Sequence, residues 1–358
     1  MDNLRGVSFS AWLRLLRDNQ FRIDQPYWGR ALAVTLMSLS NSQERRREDR
    51  LYAEKVRATR VQPPLFILGH WRNGTTLLHE LLIMDEQFAY PNVFEVANPH
   101  SCLSRAEEAA QALKDAPAQA RPMDNMQVTF QSPGEDEAAM AVTSLRSPLI
   151  GWAFPRREAH YDRYYTFRGV PQAEIDEWKA ACQRFYQKLT WKYRRPLVLK
   201  SPPHTGRIRT LLELYPDARF VHIMREPYTV FRSTQNLYAK AVPYSYLQQP
   251  DLARVDDGIL RRYAAMYDAY LEDLALVPAG RFCEVRFEDL ERDLVGQVEH
   301  VYTRLNLPGF GQVRPKLEAY AAAKTGYQKN QHATLPEALR TRVAAAWDRY
   351  FQTWGYSV

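Results

Sequence analysis

Between residues 64 and 300 the chain alternates two kinds of apolar pattern. Compact runs occur at "PLFILG" (64–69), at Leu197–Leu199 within "RRPLVLKSPP", within "DARFVHIMREP", and within "GRFCEVRFEDL". Each is short, bounded by turn-forming or charged residues, and rich in Val, Ile, Leu and Phe, the signature of a strand buried on both faces. Between and after them the spacing becomes helical: Leu77, Leu78, Leu81 and Leu82 up to about Met84, then about 205–215, a helix opening at Pro227, a long one over about 254–276, and one from Asp289. Strand–helix alternation of this kind predicts an α/β fold, a central parallel sheet flanked by helices. Helices are also expected over 104–116, 134–146 and 171–192, and from Pro336 to about Gly355.

Residues 1–60 read as an N-terminal helical segment ahead of an α/β domain over 61–358, with an insertion at about 86–170 covering the acceptor side. This first segment carries 12 Lys/Arg against 7 Asp/Glu, so 12 − 7 gives +5 of the chain's +7. Within it, "ALAVTLMSLSNSQ" (31–43) is uncharged and is followed by "ERRRE". A spanning helix needs roughly 18 or more apolar residues, so the stretch is too short and too polar to cross a bilayer. Two readings follow: a helix packed on the rest of the protein, or a basic amphipathic helix resting on a membrane surface.

The three cysteines, Cys102, Cys182 and Cys283, are far apart and fit no metal-ligand spacing. His70 and His79 flank the first turn without a carboxylate partner in sequence and read as structural, so no metal is expected. The N-terminus lacks the apolar core and cleavage site of a secretion signal, which suggests a cytoplasmic protein, with contact at the inner membrane surface as the variant of that reading. The modest basic excess and the lack of a recognised motif argue against nucleic acid.

The segment "GHWRNGTTLLHELL" (69–82) is a strand end, a polar turn and a helix start. Such a turn aims the N–H groups of the new helix at one spot and favours an anion there. The GxxxxGK[ST] spacing of a nucleotide-hydrolase loop is absent. A second anion site is proposed at "MREPYTVFRS", where Arg225 ends a strand and Ser233 lies about two helical turns on. Ligands of open α/β sheets bind beyond the carboxyl ends of strands, so the 69–72 turn, Lys200 and Arg225 should converge.

At these residues the chain resembles the sulfotransferase family, whose members carry a [KR]-[SN]-G-T-T turn after the first strand and an R-x7-S pair after a later one. Here the matches are Arg72-Asn73-Gly74-Thr75-Thr76 and Arg225/Ser233; "VRFEDL" (285–290) and "WGY" (354–356) also fit bacterial members. The resemblance covers roughly 60–358 and implies the family's P-loop-like sheet. It also implies 3′-phosphoadenosine-5′-phosphosulfate as cosubstrate, its 5′ phosphate on the 70–76 turn and its 3′ phosphate on Arg225 and Ser233. Arg72 would stand at the bridging oxygen, as in the tyrosylprotein sulfotransferases, and Lys200 would contact the sulfuryl group. Tyr327 and Lys329, in "KTGYQKNQH", occupy the loop that reaches the nucleotide in this family. For the base that takes the acceptor's proton, Glu95 in "YPNVFEV" sits near the tyrosylprotein branch's offset and is preferred. His204, displaced by two residues from the cytosolic branch's histidine, is the alternative.

The generous aromatic content, 21 Tyr and 8 Trp, points to an apolar hydroxylated small molecule or lipid as acceptor. Two other classes compete. A P-loop kinase or hydrolase would need a lysine after the loop glycine and an acidic strand end for Mg²⁺. A non-catalytic, membrane-peripheral nucleotide-binding module would have residues 1–60 as its working part.

Overall fold

The computed structural model describes residues 3–112, 119–120, 127–323 and 335–358. The chain divides into two compact units. One is Pro63–Ala89, Pro196–Asn236 and Val255–Val358; the other is Met1–Gln62, Tyr90–Arg195 and Leu237–Arg254. Residues 1–62 share a unit with residues 90–195.

The first unit holds the sheet. Six strands are named in chain order: β1 (Leu65–Leu68), β2 (Gln119–Ala120), β3 (Gln127–Val128), β4 (Val198–Lys200), β5 (Arg219–Met224) and β6 (Phe282–Arg286). β2 and β3 form a two-residue antiparallel pair in the other unit. The remaining four form a parallel sheet in the order β4-β1-β5-β6. Register aligns their carboxyl ends: Ile67 lies opposite Lys200, Leu68 opposite His222, and Met224 opposite Arg286. The strand centres are apolar apart from His222 of β5 and Glu284 of β6, because helices cover both faces. Leu65, Ile67, Val221, Ile223 and Val285 pack with Leu78, Leu81 and Leu82 of the helix Thr75–Leu82 and with Val298, Val301 and Leu317 of later helices.

Boundaries depart from the expected ones where proline or capping chemistry intervenes. Pro202 and Pro203 lack N–H groups, so the turn after β4 opens as a 3-10 helix, Pro202–Arg207, and becomes α-helical only at Ile208–Leu214. The helix expected from Asp289 is two, Phe287–Arg292 and Leu294–Arg304, broken at Asp293, whose carboxylate caps the second through the Gly296 N–H at 2.8 Å.

In the other unit, residues 31–43 lie inside one 30-residue helix, Trp28–Arg57, which packs against Gln172–Tyr193. Their contact buries an ion pair, Lys188 Nζ to Glu48 Oε1 at 2.5 Å, and Glu48 Oε2 accepts the N–H groups of Leu103 and Ser104. Such a pair persists in an apolar interior only when its remaining hydrogen-bonding capacity is met, as here. The expected helix over 134–146 is shorter, Glu137–Thr143, and the 147–171 stretch folds into short helices. Its Phe154, Tyr161, Tyr164, Tyr165 and Phe167 are buried.

Candidate active site

The turn between β1 and Thr75–Leu82 is built from conformations that most residues avoid. Gly69 has φ 144° and Gly74 φ 95°; a Cβ on Gly74 would lie 2.2 Å from the Phe287 ring, so only glycine fits. Arg72 also lies in the left-handed region, at φ 75°, which costs a non-glycine residue about 1–3 kcal/mol. Strain of this kind persists only when neighbours over-determine the backbone.

Those neighbours are buried hydrogen bonds. The Gly69 N–H donates to Thr205 Oγ1 at 2.7 Å. The His70 N–H donates to the Tyr267 hydroxyl at 3.1 Å, and Asn73 Nδ2 donates to the same hydroxyl at 2.8 Å and to the Ile223 carbonyl at 2.9 Å. Tyr267 stands on the helix Val255–Asp273 and is fully buried. Behind it, His222 of β5 places Nε2 at 3.4 Å from the Tyr267 oxygen and Nδ1 at 2.7 Å from Glu284 Oε1 of β6. A carboxylate only accepts, so Nδ1 carries the proton that faces Glu284. The tyrosine oxygen accepts from both donors of the turn and lies within 3.4 Å of His222 Nε2. Burial pushes the Tyr267 hydroxyl's pKa up and that of His70 down to about 4, so both stay neutral at physiological pH.

The cations gather in front of this turn. Arg225, directly after β5, donates from a terminal guanidinium nitrogen to the Arg72 carbonyl at 3.1 Å and lies over the Phe287 ring at 4.0 Å. Phe287 thus fills the space between Gly74 and Arg225. Arg72 Nε donates to Ser233 Oγ at 2.8 Å. Burial, and then the Arg72 charge, depress the Arg225 pKa against the pull of Glu288, Glu291 and Glu226. Two guanidiniums held this close, with one partly desolvated, form a site that an anion would stabilise. The helix beginning at Thr75 adds the N–H groups of its first turn. Arg72, Asn73, Gly74, Thr75, Thr76, Arg225 and Ser233 are therefore together in one unit, with Lys200 on the same carboxyl edge, 2 % exposed.

Comparison with protein families matches residues 63–311 to the family described as "Sulfotransferase family". The chain belongs to the sulfotransferase family. Omega-hydroxy-beta-dihydromenaquinone-9 sulfotransferases of Mycobacterium bovis and Mycobacterium tuberculosis are each 36% identical to it over 352 residues, covering 98% of this chain and 90% of theirs. Among solved structures, a sulfotransferase from Mycobacterium avium aligns with TM-score 0.66 at 17% identity, covering 97% of this chain and 96% of that one. One from Mycobacterium tuberculosis aligns with TM-score 0.62 at 16% identity, covering 98% and 93%. These two likenesses show the sulfotransferase fold. The protein is thus an enzyme of sulfuryl transfer, and the kinase, hydrolase and non-catalytic readings fall away.

The two base candidates of this sulfotransferase are both buried in packing. Glu95 belongs to the other unit, where it forms a capping box with Asn92 at the start of the helix Val93–Ala97. Its Oε2 accepts the Asn92 N–H at 2.9 Å, and its Oε1 accepts from Lys192 Nζ at 2.6 Å and the Tyr193 hydroxyl at 2.7 Å. His204 follows β4 within Pro202–Arg207, and its ring meets Phe66 of β1 edge-on at 5.3 Å. Tyr327 and Lys329 lie outside the described residues.

Sequence reasoning did not single out Tyr267, His222, Glu284 or Phe287. A tyrosine in a helix and a histidine in a strand carry no local signal; only the "VRFEDL" match touched one of these positions, Phe287. The C-terminal "WGY" has a physical role as well: Arg286 donates to the Trp354 carbonyl and lies over the Tyr356 ring at 4.6 Å, while the Tyr356 hydroxyl donates to Glu288 at 2.8 Å.

Replacing Tyr267 with Phe removes one oxygen that two buried donors use. An unsatisfied buried donor costs about 1–3 kcal/mol, so Tyr267→Phe should weaken binding of an adenosine bisphosphate on the order of tenfold and lower the thermal midpoint. Calorimetry and a melting curve check both, and an unchanged affinity would contradict the assigned role.

Proposed function

We propose that the enzyme takes its sulfuryl group from 3′-phosphoadenosine-5′-phosphosulfate, works in the cytoplasm and delivers the group to the hydroxyl of an apolar, lipid-like acceptor. The observation that supports the donor is the Arg72–Ser233–Arg225 cluster. A 3′ phosphate is a compact anion that would relieve the burial and like-charge repulsion on Arg225, and the Ser233 hydroxyl could donate to it. The turn's N–H groups and the Thr75 and Thr76 hydroxyls would receive the 5′ phosphate. Sulfuryl transfer disperses negative charge between the attacking and leaving oxygens, so positioned cations supply most of the catalysis. Arg72 stays protonated and acts as an electrostatic clamp at the bridging oxygen, with Lys200 beside the sulfuryl group. Because Arg72 Nε is held by Ser233, the clamp and the 3′-phosphate site share one guanidinium. The curated relatives are named for an omega-hydroxylated dihydromenaquinone, and this supports an acceptor of the same chemical character here.

The donor reading predicts discrimination. The donor bearing a 3′ phosphate should bind far more tightly than adenosine phosphosulfate without it, and Arg225→Ala should erase most of the difference, about 2 kcal/mol or more. Ser233→Ala should lower kcat as well as affinity, because it also releases Arg72. Titration calorimetry with the two nucleotides reads the first effect, and equal affinities for the wild-type enzyme would sink the proposal.

For the acceptor's proton we assign Glu95, after it gives up Lys192 or Tyr193, with His204 as the second candidate. A base must be unprotonated, so kcat/KM should fall as pH drops through its pKa. That acid limb should vanish in Glu95→Gln, with kcat/KM reduced on the order of 10²–10⁴-fold. If the limb persists in Glu95→Gln and is lost in His204→Gln, the base is His204.

A further inference from the structure

The long helix Trp28–Arg57 presents an apolar face to solvent. Trp28, Leu32, Leu36 and Leu39 fall at i, i+4, i+8 and i+11, on one side of the helix. They are 61 %, 61 %, 60 % and 45 % exposed, while Ala31, Val34 and Ser38 on the opposite side are buried. This helix is therefore apolar on both sides over its first three turns, where packing accounts for only one. The neighbouring helix Phe9–Asp18, tied to it by Trp12 Nε1 donating to Thr35 Oγ1 at 2.8 Å, exposes Leu13, and the chain just beyond it exposes Phe21. Tyr246 packs edge-on against Tyr27, and Tyr244 beside it is 60 % exposed. Scattered exposed apolar side chains are ordinary, but a run along one helix with such neighbours marks an interaction surface.

The same exposed side changes character along the axis. After the uncharged 31–43 stretch come Arg46, Arg47 and Arg50 on this side, all exposed. Arg47 has a long intrahelical ion pair to Glu44, at 3.9 Å, whereas Arg46 and Arg50 make none among the described residues. An apolar half followed by a cationic half matches the boundary between acyl chains and phosphate head groups. No helix among the described residues is long and apolar enough to cross a membrane.

We infer that this face docks the enzyme on an anionic lipid bilayer, with Trp28, Leu32, Leu36 and Leu39 entering the acyl boundary and the arginines meeting lipid phosphates. The inference goes beyond the acceptor reading, since it holds whatever alcohol is sulfated. It rests on the shift from apolar to cationic along one exposed helix side, a charge pattern complementary to an anionic lipid surface.

The test is sedimentation of the full chain with vesicles of phosphatidylcholine alone or mixed with phosphatidylglycerol. Binding should be stronger to the mixed vesicles, fall with salt, and drop at least about tenfold in Leu32→Glu/Leu36→Glu and in Arg46→Glu/Arg50→Glu. Leu276→Glu, an exposed control in the other unit, should bind as wild type. Turnover of a short, water-soluble alcohol should be unchanged in all three variants, which separates a failure of docking from a failure of the proposed reaction. Absent vesicle binding, or equal binding by Leu32→Glu/Leu36→Glu, overturns the inference. So does a concentration-dependent dimer that the leucine variant abolishes without any vesicle binding, which would give the face to a second copy of the chain.

Discussion

The Tyr267 hydroxyl is the fixed point of the turn that follows β1. It accepts from the His70 N–H and from Asn73 Nδ2, and it is itself oriented by His222 and Glu284 on two adjacent strands. The Tyr267 oxygen, Asn73 Nδ2 and both His222 nitrogens are paired, the condition under which a polar network rigidifies a core, while Asn73 Oδ1 is buried without a hydrogen-bond partner among the described residues. Its product is a turn that holds Arg72 at φ 75° with its side chain on Ser233 and its carbonyl under Arg225. Without that backing, the left-handed arginine would relax and the charge pattern in front of the turn would disperse. The positions of Arg72 and Arg225 thus rest on a hydrogen-bond network behind the turn.

The local chemistry of the turn was legible because it depends on neighbours in sequence. Gly74 before Thr75 and Thr76 marks a left-handed position followed by a helix start, and the structure has both. The parallel sheet was legible from the period and shortness of the apolar runs, and the strand register brings Lys200, the 69–72 turn and Arg225 to the same edge. Glycine also illustrates the limit. The sequence says that Gly74 permits a positive φ, yet it cannot say that the Phe287 ring occupies the space of a Cβ, a contact spanning more than two hundred residues. His222 and Tyr267 were invisible for the same reason: their meaning lies in a register and a helix orientation that no local pattern encodes.

The other unit teaches a different lesson about composition. Aromatic richness suggested an apolar acceptor, and within the insertion at about 86–170 the side chains of Phe154, Tyr164 and Phe167 are buried. Aromatic side chains bury large areas and can fill a core made of short helices, so their abundance alone does not distinguish a pocket from packing. Charge was more informative than ring count in this unit. The uncharged stretch followed by arginines in residues 31–50 remained a conspicuous feature once its exposure was known, and it had been ambiguous only because sequence does not say which face of a helix is covered. Glu95 shows the converse. Its offset from Arg72 pointed to chemistry, and its contacts with Asn92, Lys192 and Tyr193 are those of a residue that also holds its own helix in place.

In the proposed donor complex, one turn and one strand end divide the two phosphates between them. A crystal structure of the enzyme with adenosine 3′,5′-bisphosphate tests it most directly. The account predicts the 5′ phosphate on the N–H groups at the start of the helix Thr75–Leu82, and the 3′ phosphate within hydrogen-bonding reach of both Arg225 and Ser233, with Tyr267 still bonded to His70 and Asn73. A nucleotide bound with its 3′ phosphate away from Arg225, or with the turn released from Tyr267, would contradict it.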